Sequence, residues 1–488
     1  VNKPVRTIAI FCGALFVALM LNATYLQYYK AGALDDDPRN RRVIDAAFSR
    51  ERGAIVVGRN PVAESVPSDD KYEFQRTYPQ PQRYAHTTGY FSFDSVTGIE
   101  ESQNEVLSGE DPRLFVTRLV DLVNNASPQG GQVQLTIDPR AQNAAYDTLT
   151  QQFGEEVQAS VVALEPSTGR VLAMVSLPSY DPNLLASHDY EQVQRAYERL
   201  NADEREPLLN RSIQTRLPPG STFKLVTASA AIESGNYEGA DSLVPGGPSY
   251  RLPQTDISID NGGRSCGADR ITMRQALEQS CNSTFLALAD ELGNEAMAEQ
   301  AEKYGFNADD YLDDLSPLAA SIYPTDADRP QTALTGIGQF DVAATPIQMA
   351  MVVAGIANDG VVKEPYLVDE VLSPDLETLD RTDDVDLSRA VESSTAEELT
   401  DMMVSTVAQG TATPAAIPGI DVAGKTGTAE NCDGCNNYAW FVSFAPAEDP
   451  QVAVAVMIQS AEVAPNDIAG GLLGGPVAKA VMEAVIQP

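Results

Sequence analysis

Pro218-Pro219-Gly220-Ser221-Thr222-Phe223-Lys224 stands at the head of an apolar, small-residue run, Leu225 to Ile232, that stops just before Gly235. Prolines cannot continue a helix, so the stretch reads as a helix start with Ser221 in its first turn. A hydroxyl there meets unpaired backbone N–H groups and the positive end of the helix dipole, which favour developing negative charge. Lys224, three residues on, falls on the same helical face, where a neutral amine would take the hydroxyl proton and leave Ser221 a nucleophile. Neutrality is the requirement. A free lysine titrates near ~10.4, and moving it by several units takes burial or a second cation. Taken alone, S-x-x-K also describes an N-cap serine followed by a surface lysine.

Two stretches downstream supply what the first lacks. Ser280-Cys281-Asn282 lies in a break between two helical segments, Ile271 to Gln279 and Ser283 to Leu292. A turn between helices presents a hydroxyl and an amide to a cleft, the hydroxyl to relay a proton and the amide to orient a substrate carbonyl. Lys425-Thr426-Gly427-Thr428-Ala429-Glu430 reads as a strand. On an edge strand Gly427 would allow close backbone approach, Lys425 would be the second cation beside Lys224, and Thr428 would bind a substrate carboxylate.

The surroundings point to one antiparallel sheet. Ser160 to Glu165 and Arg170 to Ser176 are β-branched runs around Pro166-Ser167-Thr168-Gly169, a hairpin signal. Three further strands follow near the other end, in GKTGTAE, AWFVSFAP and QVAVAVMIQ. Between the two groups come helices: the one after Ser221, one stopped by Gly293, one entered by Thr345-Pro346, and one with a capping box from Thr395 to Glu398. Gly475 to Ile486 closes the chain as a last helix. Strands from both ends bracketing a helical middle imply an α+β fold, an antiparallel sheet flanked by helices. This module is assigned to residues 132–488; it opens with the strand-like Val133 to Asp138 and a helix carrying Pro139 in its first turn.

Upstream, Ile8 to Leu21 is uninterrupted apolar, and its tolerant continuation to Tyr29 brings it to roughly 20 residues, enough to cross a bilayer as a helix. Residues 1–30 are therefore read as a cytoplasmic stub and a single membrane anchor. Tyr25, Tyr28 and Tyr29 suit an interfacial belt, and no small-x-small cleavage site ends the run. Lys3 and Arg6 precede it while Asp35, Asp36 and Asp37 follow, which orients the N-terminus to the cytoplasm and the rest outside. Residues 31–131, with short extended pieces such as GAIVVG and no long amphipathic helix, read as a small β-rich N-terminal domain.

Composition narrows the chemistry. The 488 residues carry 33 basic against 69 acidic side chains, a formal charge of −36, which excludes nucleic acid as a partner because phosphate binding needs a concentrated cationic face. Only His86 and His188 are available for imidazole catalysis, and neither lies near a G-x-S-x-G nucleophile motif. Five cysteines with one C-x-x-C pair do not make a four-ligand zinc site, so no metal and no cofactor are expected. Outside the cytoplasm the four cysteines beyond the anchor have three possible pairings; the first expectation is Cys432 with Cys435, leaving Cys266 for Cys281.

The ordered set S-x-x-K, S-x-N and K-T-G resembles that of penicillin-binding proteins and serine β-lactamases. PPGSTFKLVTA, SCNSTF, GIGQ followed by TPIQMA, AGKTGTAE and AWFVSFAP are similar to penicillin-binding transpeptidase segments across roughly residues 132–488. RNRR, SRERGAI, YAHTTGY and GIEESQNEVLSG resemble the pedestal of class B members, of the short actinobacterial type. What the resemblance implies is a D,D-transpeptidase that crosslinks peptidoglycan stem peptides ending in D-Ala-D-Ala and is acylated by β-lactam antibiotics. It assigns Ser221 as nucleophile, Lys224 as base, Ser280 and Asn282 as relay and orienting pair, Lys425 as the electrostatic partner, and Thr426, Gly427 and Thr428 as substrate-binding. The N–H groups of Ser221 and Thr428 would form an oxyanion hole, a feature worth about 3 kcal/mol per donor. A polytopic membrane glycosyltransferase is the implied partner, and a disulfide between Cys432 and Cys435 would stiffen the cleft rim. A D,D-carboxypeptidase shares all these motifs, and a scaffold with a dispensable site is the non-enzymatic alternative. A β-lactamase would need a water-activating group and no pedestal, and 31–131 leaves no room for a fused glycosyltransferase domain.

Overall fold

The computed structural model describes residues 3–30, 41–114, 129–308, 310–430, 436–461 and 469–487. The first strands are β1 (Ile55–Val57), β2 (Asn60–Pro67), β3 (Phe74–Thr77) and β4 (Gln132–Leu135), followed by β5 (Gln158–Leu164) and β6 (Val171–Leu177). The middle of the chain adds β7 (Leu243–Pro245), β8 (Ser249–Arg251), β9 (Ser258–Asp260), β10 (Arg270–Thr272), β11 (Val361–Lys363), β12 (Val368–Leu372), β13 (Thr378–Arg381) and β14 (Asp386–Arg389). The last three are β15 (Ala423–Ala429), β16 (Tyr438–Ala445) and β17 (Val452–Ser460).

Five of these form the central sheet in the order β15-β16-β17-β5-β6, every neighbouring pair antiparallel. The expected hairpin is thus β5–β6, and the K-T-G strand lies on the sheet edge. Successive residues of a strand point to opposite faces, and here both faces are covered. On β5, Ala159, Val161 and Ala163 join one apolar cluster while Val162 and Leu164 join another; on β17, Val454, Val456 and Ile458 divide from Ala453, Ala455 and Met457 in the same way. That explains why these strands read as continuous apolar runs. The Pro139–Phe153 and Gly470–Ile486 helices pack together on the first face, and the Pro346–Ala357 helix crosses the second.

Local signals set most helix ends. Asp138 accepts from the Arg140 N–H ahead of Pro139, and Thr345 from the Gln348 N–H ahead of Pro346. The helix after Ser221 runs Lys224–Glu233. Gly293 breaks the Asn282–Lys303 helix with a φ of 81°, and a second helical segment resumes directly behind it. The capping box from Thr395 to Glu398 does not form. The helix starts earlier, at Ser393, without a side-chain cap, and tertiary partners take both residues. Thr395 donates to the Glu233 carboxylate at 2.5 Å, and Glu398 accepts from the Ala240 N–H at 2.7 Å.

The second large sheet has the order β13-β12-β4-β1-β2-β3, with β1 and β4 parallel and β4 and β12 antiparallel. It combines strands from either side of position 131 with two from beyond residue 365. Beneath it, fully buried Glu100 accepts from Arg52 Nε at 2.5 Å, Arg76 Nε at 2.6 Å and the Tyr78 hydroxyl at 3.1 Å. Burial alone would raise the Glu100 carboxyl, but Arg76 and Arg52 hold it below the ordinary glutamate range. At the N-terminus, Lys3–Tyr29 is helical over 27 residues and contains an 18-residue window with a mean hydropathy of 2.1, the one helix among the described residues long and apolar enough to cross a membrane. Asp35, Asp36 and Asp37 lie outside the described residues.

Candidate active site

Three distant stretches of chain meet at one hydroxyl. Ser280 Oγ lies 3.2 Å from Lys224 Nζ and 3.0 Å from Lys425 Nζ, and both lysines are fully buried. Lys224 Nζ also donates to the Ser280 carbonyl at 2.8 Å and to Asn282 Oδ1 at 2.8 Å, while Lys425 Nζ donates to the Thr426 carbonyl at 3.0 Å. Asn282 is held in turn by its Nδ2, which donates to the Asp260 carbonyl at 2.9 Å.

The backbone explains how each group arrives. Gly220–Phe223 is a single 3₁₀ turn leading into the Lys224–Glu233 helix, with Ser221 half-buried on it. The edge strand presses on that turn: with φ at +55°, a Cβ on Gly220 would lie 2.6 Å from the Thr428 carbonyl oxygen, and one on Gly427 would lie 2.8 Å from that of Pro219. Gly427 therefore does allow close approach, but of the chain's own backbone. Ser280 ends the short Met273–Glu278 helix in a Schellman motif, its N–H donating to the Leu277 carbonyl at 3.1 Å and that of Cys281 to Ala276 at 2.8 Å. The residue at this position must be left-handed, and Ser280 has a φ of 56°. Most helices place glycine there. Strain is thus concentrated on the residue whose hydroxyl both lysines share.

The electrostatics follow from this packing. Burial pushes Lys224 well below the usual lysine range, with Lys425 and then Arg264 adding to the effect. Lys425 falls to about 7, through burial and then Arg264. The neighbourly cation expected for Lys224 is therefore present and reinforced by a third. Arg264 was not apparent from residue patterns; its Nη1 donates to the Ser280 carbonyl at 3.4 Å. The available signal was its place between Gly262-Gly263 and Cys266, a turn closed by a bonded cysteine. Cys266 and Cys281 form a disulfide, the second of the expected pairs. Cys432 and Cys435 lie outside the described residues.

Not every expected residue joins the cluster. The Ser221 hydroxyl has no hydrogen-bond partner among the described residues, Lys224 being turned to Ser280 and Asn282. Thr426 faces away from Lys425, its hydroxyl paired with that of Thr411 at 2.8 Å, as strand alternation requires of adjacent residues. Thr428 is half-buried near the end of β15. His86 is buried against the Pro207 carbonyl at 2.8 Å, and His188 pairs with Asp70 at 2.5 Å.

Residues 159–483 match the family model described as the penicillin binding protein transpeptidase domain, and residues 52–133 that of the penicillin binding protein A dimerisation domain. The chain belongs to the penicillin-binding transpeptidase family. Among transpeptidases of this family, the peptidoglycan D,D-transpeptidase PbpA of Mycolicibacterium smegmatis is 40% identical over 492 residues, covering 100% of this chain and 99% of the relative. PbpA of Mycobacterium tuberculosis strain H37Rv is 40% identical over 494 residues with the same coverage. Penicillin-binding protein A of M. tuberculosis, solved as a ceftriaxone acyl-enzyme complex, superposes with a TM-score of 0.85 at 39% identity, covering 91% of this chain and 100% of that one. Its penicillin G acyl-enzyme complex gives 0.84 at 39% identity, covering 90% and 100%.

Proposed function

We propose that the protein is a peptidoglycan D,D-transpeptidase working through an acyl-enzyme on Ser221. The observation that carries this reading is the pair of buried lysines sharing the Ser280 hydroxyl beside the turn that bears Ser221. With Lys224 neutral, its two N–H groups are shared among the Ser280 carbonyl, the Ser280 hydroxyl and Asn282 Oδ1, and its lone pair is left to take the Ser221 proton. Lys425 donates to that hydroxyl from the other side. Such a chain moves a proton without separating charge.

In the first half-reaction Ser221 Oγ bonds to the carbonyl carbon of the penultimate D-alanine. The amide C–N bond breaks, and the Ser221 proton passes through Lys224 and Ser280 to the departing D-alanine amine. In the second half-reaction an amine of another stem peptide attacks the ester, the C–Oγ bond breaks, and a proton returns to Ser221. The N–H groups of Ser221 and Thr428 serve as the oxyanion hole, a role supported by the close approach of Gly220 to Thr428. Lys425 and Thr428 receive the terminal carboxylate, and Asn282 orients the acyl chain. A β-lactam acylates the same oxygen, but its opened ring keeps the leaving nitrogen tethered.

The N-terminal helix anchors residues 31–131, the pedestal, and 132–488, the transpeptidase module, on the outer face of the membrane, with the N-terminus cytoplasmic. A polytopic glycosyltransferase that spins out glycan is the partner this placement suits. Transfer to an amine is favoured over transfer to water by full-length similarity to relatives named as transpeptidases. The test is intact-mass analysis of detergent-solubilised protein with benzylpenicillin. A single adduct on Ser221, absent from Ser221→Ala, is expected. Unmodified wild-type protein overturns the reading, and adduct lost within minutes to water redirects it to hydrolysis.

A further inference from the structure

Arg264 sits on the loop between β9 and β10, and that loop is pinned on both sides of it. On one side, buried Asn261 accepts from the Ser283 N–H at 2.9 Å and donates to the Gly247 carbonyl at 2.8 Å. On the other, Cys266 is bonded to Cys281, the central residue of Ser280-Cys281-Asn282. Gly262 and Gly263, both left-handed, turn the chain between the two anchors. The guanidinium is thereby brought to the Ser280 carbonyl, the same oxygen that accepts from Lys224 Nζ.

We infer that Arg264 is a positioning residue for acylation, a third cation that the Cys266–Cys281 disulfide holds against the Ser280 carbonyl so that the two lysines keep the proton state the reaction needs. The inference rests on the Ser221 reading above. Nη1 and Nζ lie 3.4 and 2.8 Å from one oxygen and so at most about 6 Å apart, where a unit charge displaces a pKa by ~2 units at an effective dielectric of ~20. The loop is exposed, and screening brings this to about one unit. Both lysines are lowered with Arg264 among the causes, in agreement with that sign.

Carboxylates on the adjoining elements are committed elsewhere. Asp260 at the end of β9 accepts from the Gly262 N–H, and Glu278 on the Met273–Glu278 helix accepts from the Ser405 hydroxyl. Asp401 on the Ser393–Gln409 helix pairs with Arg274, Asp290 on the Asn282–Lys303 helix pairs with Arg329, and Glu430 after β15 is exposed. The positive charges of Lys425 and Arg264 therefore act on Lys224 unopposed by a paired carboxylate.

The experiment follows benzylpenicillin acylation by intact mass between about pH 6 and pH 10 for the full-length wild type, Arg264→Gln, Arg264→Lys and the double variant Cys266→Ser/Cys281→Ser. Loss of the cation raises the lysines, so the acidic limb of Arg264→Gln should move about one unit to higher pH, with about tenfold slower acylation below the limb and an unchanged alkaline plateau. Arg264→Lys should keep the wild-type limb, and the disulfide variant should move it in the same direction as Arg264→Gln. An unmoved limb in Arg264→Gln overturns the proposal, as does an equal fall of the whole profile in Arg264→Gln and Arg264→Lys with lowered melting temperatures, which marks a purely structural role. Failure of the Ser221 reading would instead show as no adduct in the wild type at any pH.

Discussion

Ser280 combines two properties that substitution separates. Its φ of 56° is a backbone matter, and its hydroxyl between Lys224 and Lys425 is a chemical one. Ser280→Ala removes the hydroxyl and keeps a Cβ in the left-handed region; Ser280→Gly removes the hydroxyl and relieves the backbone. Both leave the Schellman hydrogen bonds and the carbonyl that accepts from Lys224. Each deprives two buried amines of a partner, a loss of about 1–3 kcal/mol relative to wild type. The two variants should differ from each other by about 1 kcal/mol, with glycine the more stable, because a Cβ at positive φ costs more than the extra freedom of unfolded glycine. For a module of this size that corresponds to about 1 °C in melting temperature. Acylation by benzylpenicillin should fall by ~10²-fold or more in both, the usual worth of a positioned proton carrier. The assays are thermal melting in detergent and time-resolved intact mass on the same preparations. An alanine variant as stable as the glycine one would refute the strain, and wild-type acylation in either would remove the hydroxyl from the proton path.

Three other perturbations probe the frame around the site. Gly220→Ala should abolish acylation and lower the melting temperature, because the new Cβ meets the Thr428 carbonyl at 2.6 Å on a left-handed residue; an unchanged acylation rate would show that the turn and β15 separate freely. Glu100→Leu leaves Arg52 and Arg76 buried without a counter-charge and should cost about 3–5 kcal/mol in denaturant titration, and a loss below about 1 kcal/mol would mean the guanidiniums reach water. His86 has its pKa lowered by burial to about 4, so its folded form stays neutral while the unfolded chain takes a proton below about 6.5. Stability from this group is complete above pH 6.5 and is lost progressively as pH falls toward 4. His86→Gln should flatten the stability profile in that window by up to about 3 kcal/mol, and an identical acid slope in the variant would refute the assignment.

The central sheet was legible because its signals are local and redundant. Each strand is a β-branched or aromatic run bounded by turn residues, and burial on both faces only lengthens the apolar stretch. The hairpin at Pro166 to Gly169 followed from this, whereas the edge position of the K-T-G strand was a supposition attached to Gly427 that the strand order matches. The second sheet was less legible for the opposite reason: β12 joins β4 across more than two hundred residues of chain and carries β13 on its outer side, and no local pattern in Val368–Leu372 or Thr378–Arg381 says which sheet they complete. The misread capping box belongs to the same class. Thr395 and Glu398 have the right spacing, but Glu233 and the Ala240 N–H offer both side chains better partners, and the helix starts three residues earlier.

At the site, residue types were legible and their geometry was not. Nothing about the letters of Ser280-Cys281-Asn282 announces a left-handed serine, since that conformation follows from a Schellman turn whose usual occupant is glycine. Nor does Lys425-Thr426-Gly427 reveal that Thr426 turns to Thr411, although strand alternation allows it to be deduced once Lys425 is placed inward. The least legible feature is why two lysines tolerate complete burial. A lone buried ammonium costs several kcal/mol and escapes by shedding its proton. Lys224 has three acceptor positions around it, the full set for an ammonium, and these would retain the proton if it stood alone. The second and third cations, brought in by β15 and by a disulfide-bound loop, work against that retention. Around Lys224, hydrogen bonds that favour the charged amine thus oppose burial and neighbouring cations that favour the neutral one, and the proposed transfer of a proton from Ser221 and back draws on both. Hydrogen bonds position the amine while the surrounding positive charge makes it a base, and these contributions come from four chain segments that meet only in the folded protein.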